Sequence, residues 1–523
     1  EWFVVQEPAG GAREAGPNAP QRRRSRRLVH RTALDARDRF DGCAVVATRF
    51  VRACPKGHVD DIDWYRFVHG TGDSCRNQLW LDEHGTGGDL SDLAVRCTCG
   101  KRRGLHEAKE FENRPLETCN GARPWLGRHA GEDCVLPARL LIRTASNAWF
   151  AQVVSMLSLP DRTSGVDQAV AALWDDLQIV DGTAALAIIK RKPSVAERLA
   201  PFDDAEVLEA VDRHRTGGGG EERPVKQVEL DALLAVPEGF GEDVPVDPDF
   251  HARRLPDTAW RRTSHSNAAG IESVVQVHRL REVSALAGFT RFEAVTPDID
   301  GEYDSDVERA DIALEPSWFP AVENRGEGIF LQLRAAAVEQ WLARPEVSAR
   351  VNALAAGHAR WNAKRQERSR RAQQRPFPGG PYVLLHTLSH LLIQSLAVRC
   401  GYPAASIRER VYVDGAARRY GLLLYTASAD AEGTLGGLVQ EARRVEAHLE
   451  QALAAAGLCS NDPICAQHEP GGSMEERWLH GAACHGCALV AETSCEMRND
   501  YLDRALVVPV IGVTGASFFE TAG

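Results

Sequence analysis

A chain of 523 residues is longer than one ordinary hydrophobic core organises, so two to four domains are expected. Hydrophobic residues make up 44% and charged residues 26%, which excludes a disordered or fibrous protein. The net charge of −11 excludes a uniformly basic nucleic-acid binder and leaves only local patches for such contacts. No unbroken apolar run reaches the roughly 18 residues of a membrane span, so no membrane partner is expected. The longest stretch, Ala505 to Val513, is short and contains Pro509.

In chain order, residues 7–27 are rich in Gly, Pro, Ala and Arg and read as a mobile loop carrying the run Arg22-Arg23-Arg24-Ser25-Arg26-Arg27. Short strand-like stretches follow between about 40 and 142. Residues 145–215 carry apolar residues at helical spacing, as in Gln168 to Trp174 and Ala205 to Val211. Gly217-Gly218-Gly219-Gly220-Glu221-Glu222 reads as a flexible connector. Alternation typical of strands returns from Ile271 to Val295. A long helical segment is predicted from Leu331 to about Gln374, stopped by Pro376, Pro378 and Pro381 with Gly379-Gly380. An apolar helix then opens the last region at Tyr382 to Ile393. The expected division is 1–144, a cysteine-rich zinc module; 145–270, helical with the connector; 271–380, strands plus a long basic helix; and 381–523, a C-terminal α/β domain. The fold class expected is a mixed α/β multi-domain chain stabilised by zinc at both ends.

The thirteen cysteines fall in two dense groups, seven from Cys43 to Cys134 and five from Cys459 to Cys495, with Cys400 alone. In a chain this large, such clusters fit metal sites in a reducing cytoplasm better than a disulfide framework. Four thiolates converging on one point suit a tetrahedral structural Zn²⁺, and Cys465, Cys484, Cys487 and Cys495 supply four around a Cys-x-x-Cys turn. Cys459 is a fifth candidate that could replace Cys465. In the N-terminal group, Cys54, His58, His69 and Cys75 form one possible Cys₂His₂ set. Cys97-Thr98-Cys99-Gly100 would pair with Cys119 and Cys134. The glycine suits a knuckle turn, because it frees backbone N–H groups to face the sulfurs. One to three Zn²⁺ are expected per chain; buried free thiols are the bland alternative.

His386 and His390 sit at i and i+4 on the apolar helix. Two histidines on one face resemble half of a zincin site, but Thr387 stands where the general-base Glu of His-Glu-x-x-His would be. The reading preferred here is hydrogen bonding inside a helix-packed core. A basic segment, Arg360, Trp361, Lys364, Arg365, Arg368, Arg370, Arg371 and Arg375, is the candidate DNA-binding surface. Arginine pairs bidentately with phosphate and tryptophan can stack on a base; a solvated helix face gives the same pattern. Gly433-Thr434-Leu435-Gly436-Gly437-Leu438 lacks the Lys-Ser/Thr of a phosphate loop and reads as a tight turn. Leu81-Asp82-Glu83-His84-Gly85 has no Walker A upstream to make it a helicase box. No catalytic residue is assigned.

Several of these pieces together resemble known families. His386 to Ile393, Glu409-Arg410-Val411-Tyr412, Leu424-Tyr425-Thr426-Ala427, Gly433 to Leu438, Gly481 to Cys487 and Glu492 to Glu496 resemble the cysteine-bearing domain that ends MrfA-type repair helicases. Arg52 to His58, Asp63-Trp64, Arg123 to Gly127, Ala145-Ser146-Asn147 and Gly326 to Phe330 are similar to the DrmB subunits of DISARM phage-defence systems. Residues 160–265 carry no such likeness. The resemblance implies a non-motor, non-catalytic partner of a DrmA-like DNA helicase, forming a heterodimer and acting on phage DNA. It also implies zinc at Cys465, Cys484, Cys487 and Cys495. Two rivals remain from the residues alone: a metal-dependent nuclease or hydrolase using His386 and His390, and a structural scaffold that never touches DNA.

Overall fold

The computed structural model describes residues 1–6, 24–83, 89–109, 114–127, 129–159, 162–215, 224–240, 249–261, 266–292, 294–295, 298, 309–368, 374–426, 437–472 and 476–519. Arg22, Arg23, the connector from Gly217 to Glu222, Arg370, Arg371, Ala427, the turn from Gly433 to Gly436, and His84-Gly85 lie outside the described residues. The chain forms two compact units. The first comprises residues 1–153, 286–295 and 305–320, and the second 154–285, 296–304 and 321–523.

The first unit is built on short antiparallel strands: β1 (Trp2–Gln6), β2 (Arg24–His30), β3 (Arg39–Phe40), β4 (Cys43–Ala47), β5 (Phe50–Ala53), β6 (Val59–Asp60), β7 (Leu79–Glu83), β8 (Leu93–Cys97), β9 (Arg102–Gly104) and β10 (Arg139–Ile142). Seven of them form one sheet in the order β3-β4-β1-β2-β7-β8-β9, and three form a second, β10-β5-β6. Helix α1 (Trp64–His69) packs Trp64, Phe67 and Val68 into their shared core with Trp2, Leu28, Phe50, Leu79 and Val95. The described part of the basic run expected as loop, Arg24 to Arg27, is in fact the start of β2. Arg26 pairs with Glu83 at 2.5 Å, Ser25 donates to Asp82 at 2.7 Å, and Arg27 pairs with Asp41 at 3.0 Å. Local composition signalled a loop, but cross-strand ion pairs neutralise the charge that argued for one.

β11 (Phe150–Ser158), a strand inside the region expected as helical, begins in the first unit and ends in the second, which then carries α2 (Arg162–Ala172), α3 (Trp174–Leu177), α4 (Thr183–Ile189), α5 (Pro193–Leu199), α6 (Asp204–Arg215) and α7 (Val225–Leu234). Helices α2 to α6 enclose a small core of their own around Val170, Leu177, Leu186 and Val211. β12 (Phe250–Arg254) and α8 (Asp257–Trp260) lead to β13 (Ile271–Thr290), whose last residues belong to the first unit, and β14 (Ala321–Leu333). The predicted long helix is split into α9 (Ala335–Leu342) and α10 (Pro345–Arg368), because Pro345 can open a helix but not continue one. There follow α11 (Gly380–Cys400), β15 (Ile407–Asp414), β16 (Arg419–Thr426), α12 (Gly437–Glu441) and α13 (Val445–Ala456).

The six-stranded sheet runs β11-β13-β14-β16-β15, with β12 also on β13. Helix α11 crosses it, entered through Pro381 at its first turn and ended by Gly401 in the left-handed region. Its Tyr382, Leu385, Leu388 and Leu392 join Ile271, Leu331, Val411 and Leu422 in one core. Segments 271–380 and 381–523 therefore share a core, because β14 pairs with β16 over Gly328–Leu333. The 21-residue α11 contains an 18-residue window of mean hydropathy 1.3, long and apolar enough by composition to cross a membrane, though 72% of that window is buried inside the protein. The strict apolar run that sequence reading sought is broken by His386, Thr387, Ser389 and His390, which a window average passes over.

Candidate metal centres

Among the described residues, four sets of side chains bring their ligand atoms within 4.8 Å of one another. They are Cys54, His58, Cys119 and Cys134; His69, Cys75, Cys97 and Cys99; Cys459, Cys465, Cys484 and Cys487; and His386, His390, Glu409 and Cys495. Eleven of the thirteen cysteines are used, all of them as free thiols.

The C-terminal quartet corrects the sequence reading. Cys459 completes it beside Cys465, and Cys495 lies elsewhere. Cys459 Sγ is 3.4 Å from Cys484 Sγ, while Cys487 Sγ is 3.7 Å from both Cys465 and Cys484. Four sulfurs at zinc–sulfur bonds of about 2.3 Å form a tetrahedron with edges of about 3.8 Å, so the donor set fits that ion. Backbone N–H groups of Asn461 and Gly486 each reach back 3.4 Å to the sulfur two residues earlier, the pattern that stabilises thiolates in knuckle turns. Arg504, fully buried, donates to Ala456 O at 2.9 Å and pairs with Asp462. The Cys487 hydrogen bond, followed by lesser contributions that include Arg504, draws the Cys465 thiol down to about 5.

The N-terminal sets are also regrouped, each taking half of each expected set. Pairing of β7 with β8 places Leu79 opposite Cys97 and so brings Cys75, just ahead of β7, against the Cys97–Cys99 turn. Cys75 and Cys97 sulfurs are 3.7 Å apart. His69, at the end of α1, gives its Nδ1 to Tyr65 O at 2.9 Å and aims Nε2 at Cys99 Sγ, 3.3 Å away. Gly100 follows with φ 100°, as a knuckle requires. The backbone N–H of Lys101, then His69, holds the exposed Cys99 thiol down to about 7. In the other set, His58 Nε2 stands 2.9 Å from Glu132 Oε1 and Nδ1 faces Cys54 and Cys119 at 3.3 and 3.5 Å. A carboxylate or carbonyl fixing one ring nitrogen so that the other is free for an ion is the usual outer arrangement of a metal-bound histidine.

His386 and His390 share one face of α11, as their spacing predicts. Both point at Glu409 of β15, with Nε2 to Oε1 distances of 2.9 and 3.3 Å. Cys495 Sγ is 3.1 Å from His386 Nε2. The loop bearing Cys495 is stitched to β15 by Glu409 N–H to Ser494 O at 3.0 Å and Val411 N–H to Glu496 Oε1 at 3.3 Å. That stitching draws Cys495 away from the quartet. The sequence offers Glu409 only inside a motif of resemblance and not as a ligand; a carboxylate in a strand pattern gives no spacing signal.

The basic segment is only partly an open surface. Arg365 is buried with its guanidinium 4.8 Å from the Trp361 ring, and Arg375 lies 5.9 Å from the same ring. His358 packs against Trp361 at 5.5 Å. The ring expected to stack on a base is thus already occupied by its own chain. Arg360 donates to Gly471 O and Lys364 pairs with Glu367 at 3.4 Å, both side chains remaining accessible.

These features define a mixed α/β protein with cysteine-rich clusters that could hold zinc ions. A family described as the MrfA Zn-binding domain matches residues 388–488, and one described as Domain of unknown function (DUF8724) matches residues 15–150. The chain is 32% identical to the DISARM protein DrmB of Bacillus paralicheniformis, over 90% of this chain and 82% of that protein. It belongs to the DrmB family.

Proposed function

We propose that this chain is the non-motor subunit of a phage-defence complex, pairing in the cytoplasm with a DrmA-like helicase and helping it hold DNA. The observation that carries the reading is the similarity to a DISARM protein over nine-tenths of the chain. Thirteen free thiols fit a reducing compartment. The role is mechanical: metal clusters brace rigid surfaces, the helicase hydrolyses ATP, and accessible cations meet phosphates. His386, His390 and Glu409 are completely buried, which favours bracing over hydrolysis of a polymer that must reach them.

The test is co-expression with the helicase of the same defence locus, followed by DNA-binding measurements across a salt series. A stable complex whose affinity falls steeply with salt is expected, since phosphate neutralisation releases counterions. Charge reversal at Arg360 and Lys364 should weaken binding and flatten the salt slope. Failure to co-purify would remove the pairing; unchanged affinity after reversal would remove this helix as a DNA contact.

A further inference from the structure

We infer that His386, His390, Glu409 and Cys495 form a separate, closed metal centre, with Zn²⁺ the fitting class of ion. The zinc-binding family match ends at Cys487's neighbour and spans 388–488, so His386 and Cys495 both lie outside it. The match therefore accounts for the cysteine quartet and not for this set.

Donor and acceptor accounting at His390 carries the argument. Its Nδ1 lies 2.8 Å from Ala488 O. A carbonyl can only accept, so Nδ1 carries the hydrogen, and the tautomer with that single proton presents a lone pair on Nε2. That lone pair faces Glu409 Oε1 at 3.3 Å, itself an acceptor. Two acceptors directed at one another in a buried site call for a second ring proton or a metal ion between them, and four ligand atoms converging within 4.8 Å favour the ion. The same carboxylate oxygen lies 2.9 Å from His386 Nε2, so three donor atoms converge on one place.

Cys495 supplies the fourth. Its sulfur receives the backbone N–H of Met497 at 3.3 Å and of Asn499 at 3.1 Å. Two backbone donors on one buried sulfur match the knuckle turns of the cysteine quartet and suit a thiolate. One thiolate and one carboxylate carry two negative charges, which a divalent cation balances without leaving net charge in the core. The Nε2, Oε1 and Sγ atoms are 2.9 to 3.3 Å apart where measured. Zinc bonds of about 2.0 Å to N and O set edges of about 3.3 Å. A mixed N₂OS set suits a borderline-soft ion better than Mg²⁺ or Ca²⁺. All four positions come from protein, so the centre is structural: it would clamp α11, β15 and the loop after Cys487 to each other.

Anomalous diffraction at the zinc absorption edge, on crystals of the full-length wild-type chain, tests this without any variant. A peak among His386 Nε2, His390 Nε2, Glu409 Oε1 and Cys495 Sγ is the expected result. Peaks at the three other clusters with none here would overturn the inference. In parallel, metal analysis of Cys495→Ser should lose one zinc equivalent while keeping the other three. An unchanged count in a folded variant would equally overturn it. Neither readout depends on helicase pairing or DNA binding.

Discussion

Lys226 Nζ stands 2.6 Å from Glu496 Oε1, tying the second residue of α7 to the residue that follows Cys495. Both side chains are largely buried, at 8% and 15% exposure. Glu496 also accepts from Tyr382 Oη at 2.9 Å, and Lys226 donates to Val411 O at 3.1 Å. One ion pair thus joins α7, α11, β15 and the C-terminal loop. Lys226→Met leaves a carboxylate without its cation, and breaking such a pair from one side costs about 3 kcal/mol. A lowered unfolding midpoint in denaturant is expected. The double variant with Glu496→Gln should recover part of the loss; no recovery would mean the lysine acts through packing alone.

The choice of fourth ligand in the C-terminal quartet makes a second prediction. Cys459→Ser should remove one zinc equivalent and disturb the Cys484–Cys487 turn, whose sulfur it approaches at 3.4 Å. Cobalt substitution reads the difference: the S₄ charge-transfer bands should vanish in Cys459→Ser and persist in Cys495→Ser. Bands lost only in the latter would restore the grouping expected from sequence.

That grouping shows where sequence reading ran short. The Cys-x-x-Cys turn at Cys484 and Cys487 was legible because its two ligands are local. Which distant cysteine completes each set is decided by strand register and loop stitching, such as Leu79 opposite Cys97 and Glu409 N–H on Ser494 O. Residue types alone do not encode these. The helix carrying His386 and His390 was legible from apolar content, yet their partner Glu409 lies on a strand reached only after folding. Strand β11 was hidden because Phe150 to Ser158 sits beside a truly helical stretch and lends itself to either period. The packing around Trp361 was not legible, because charge density does not reveal that Arg365 and Arg375 turn inward onto the ring.

A third prediction concerns acid stability. His480 is half-buried, and desolvation first, then Arg477, with smaller contributions from His468 and His386, lower its pKa from 6.5 to about 4, against the hydrogen bond to Asn499 O. Nε2 donates to that carbonyl at 2.9 Å. In the unfolded chain the ring takes its proton near 6.5, and in the folded chain only near 4. Between those values the unfolded state binds more protons, so stability is full above about pH 6.5 and falls as pH drops toward 4. The loss attributable to this ring is up to about 3 kcal/mol. His480→Gln keeps a donor and removes the titration, so urea midpoints should fall less between pH 7 and 4.5 than in the wild type. Parallel curves for the two proteins would place the acid sensitivity elsewhere.

The last prediction tests the Cys54, His58, Cys119 and Cys134 cluster through its backbone. Gly121 adopts φ 72° and its N–H reaches Cys119 Sγ at 3.3 Å. A Cβ there would lie 1.5 Å from the carbonyl oxygen of Glu132, the residue whose carboxylate holds His58 Nε2. That atom is backbone and cannot rotate away, so Gly121→Ala must part the two loops and move the histidine's outer partner. The left-handed conformation alone costs an alanine about 1 kcal/mol. Gly401, with φ 70°, ψ 15° and nothing within 4 Å of its Cβ position, isolates that smaller effect. Gly121→Ala should lose one zinc equivalent and destabilise by at least about 2 kcal/mol more than Gly401→Ala, since the displaced loops carry buried ligands. Metal content and thermal midpoints of the two variants decide it: equal zinc and equal midpoints would show that the cluster does not depend on this close approach.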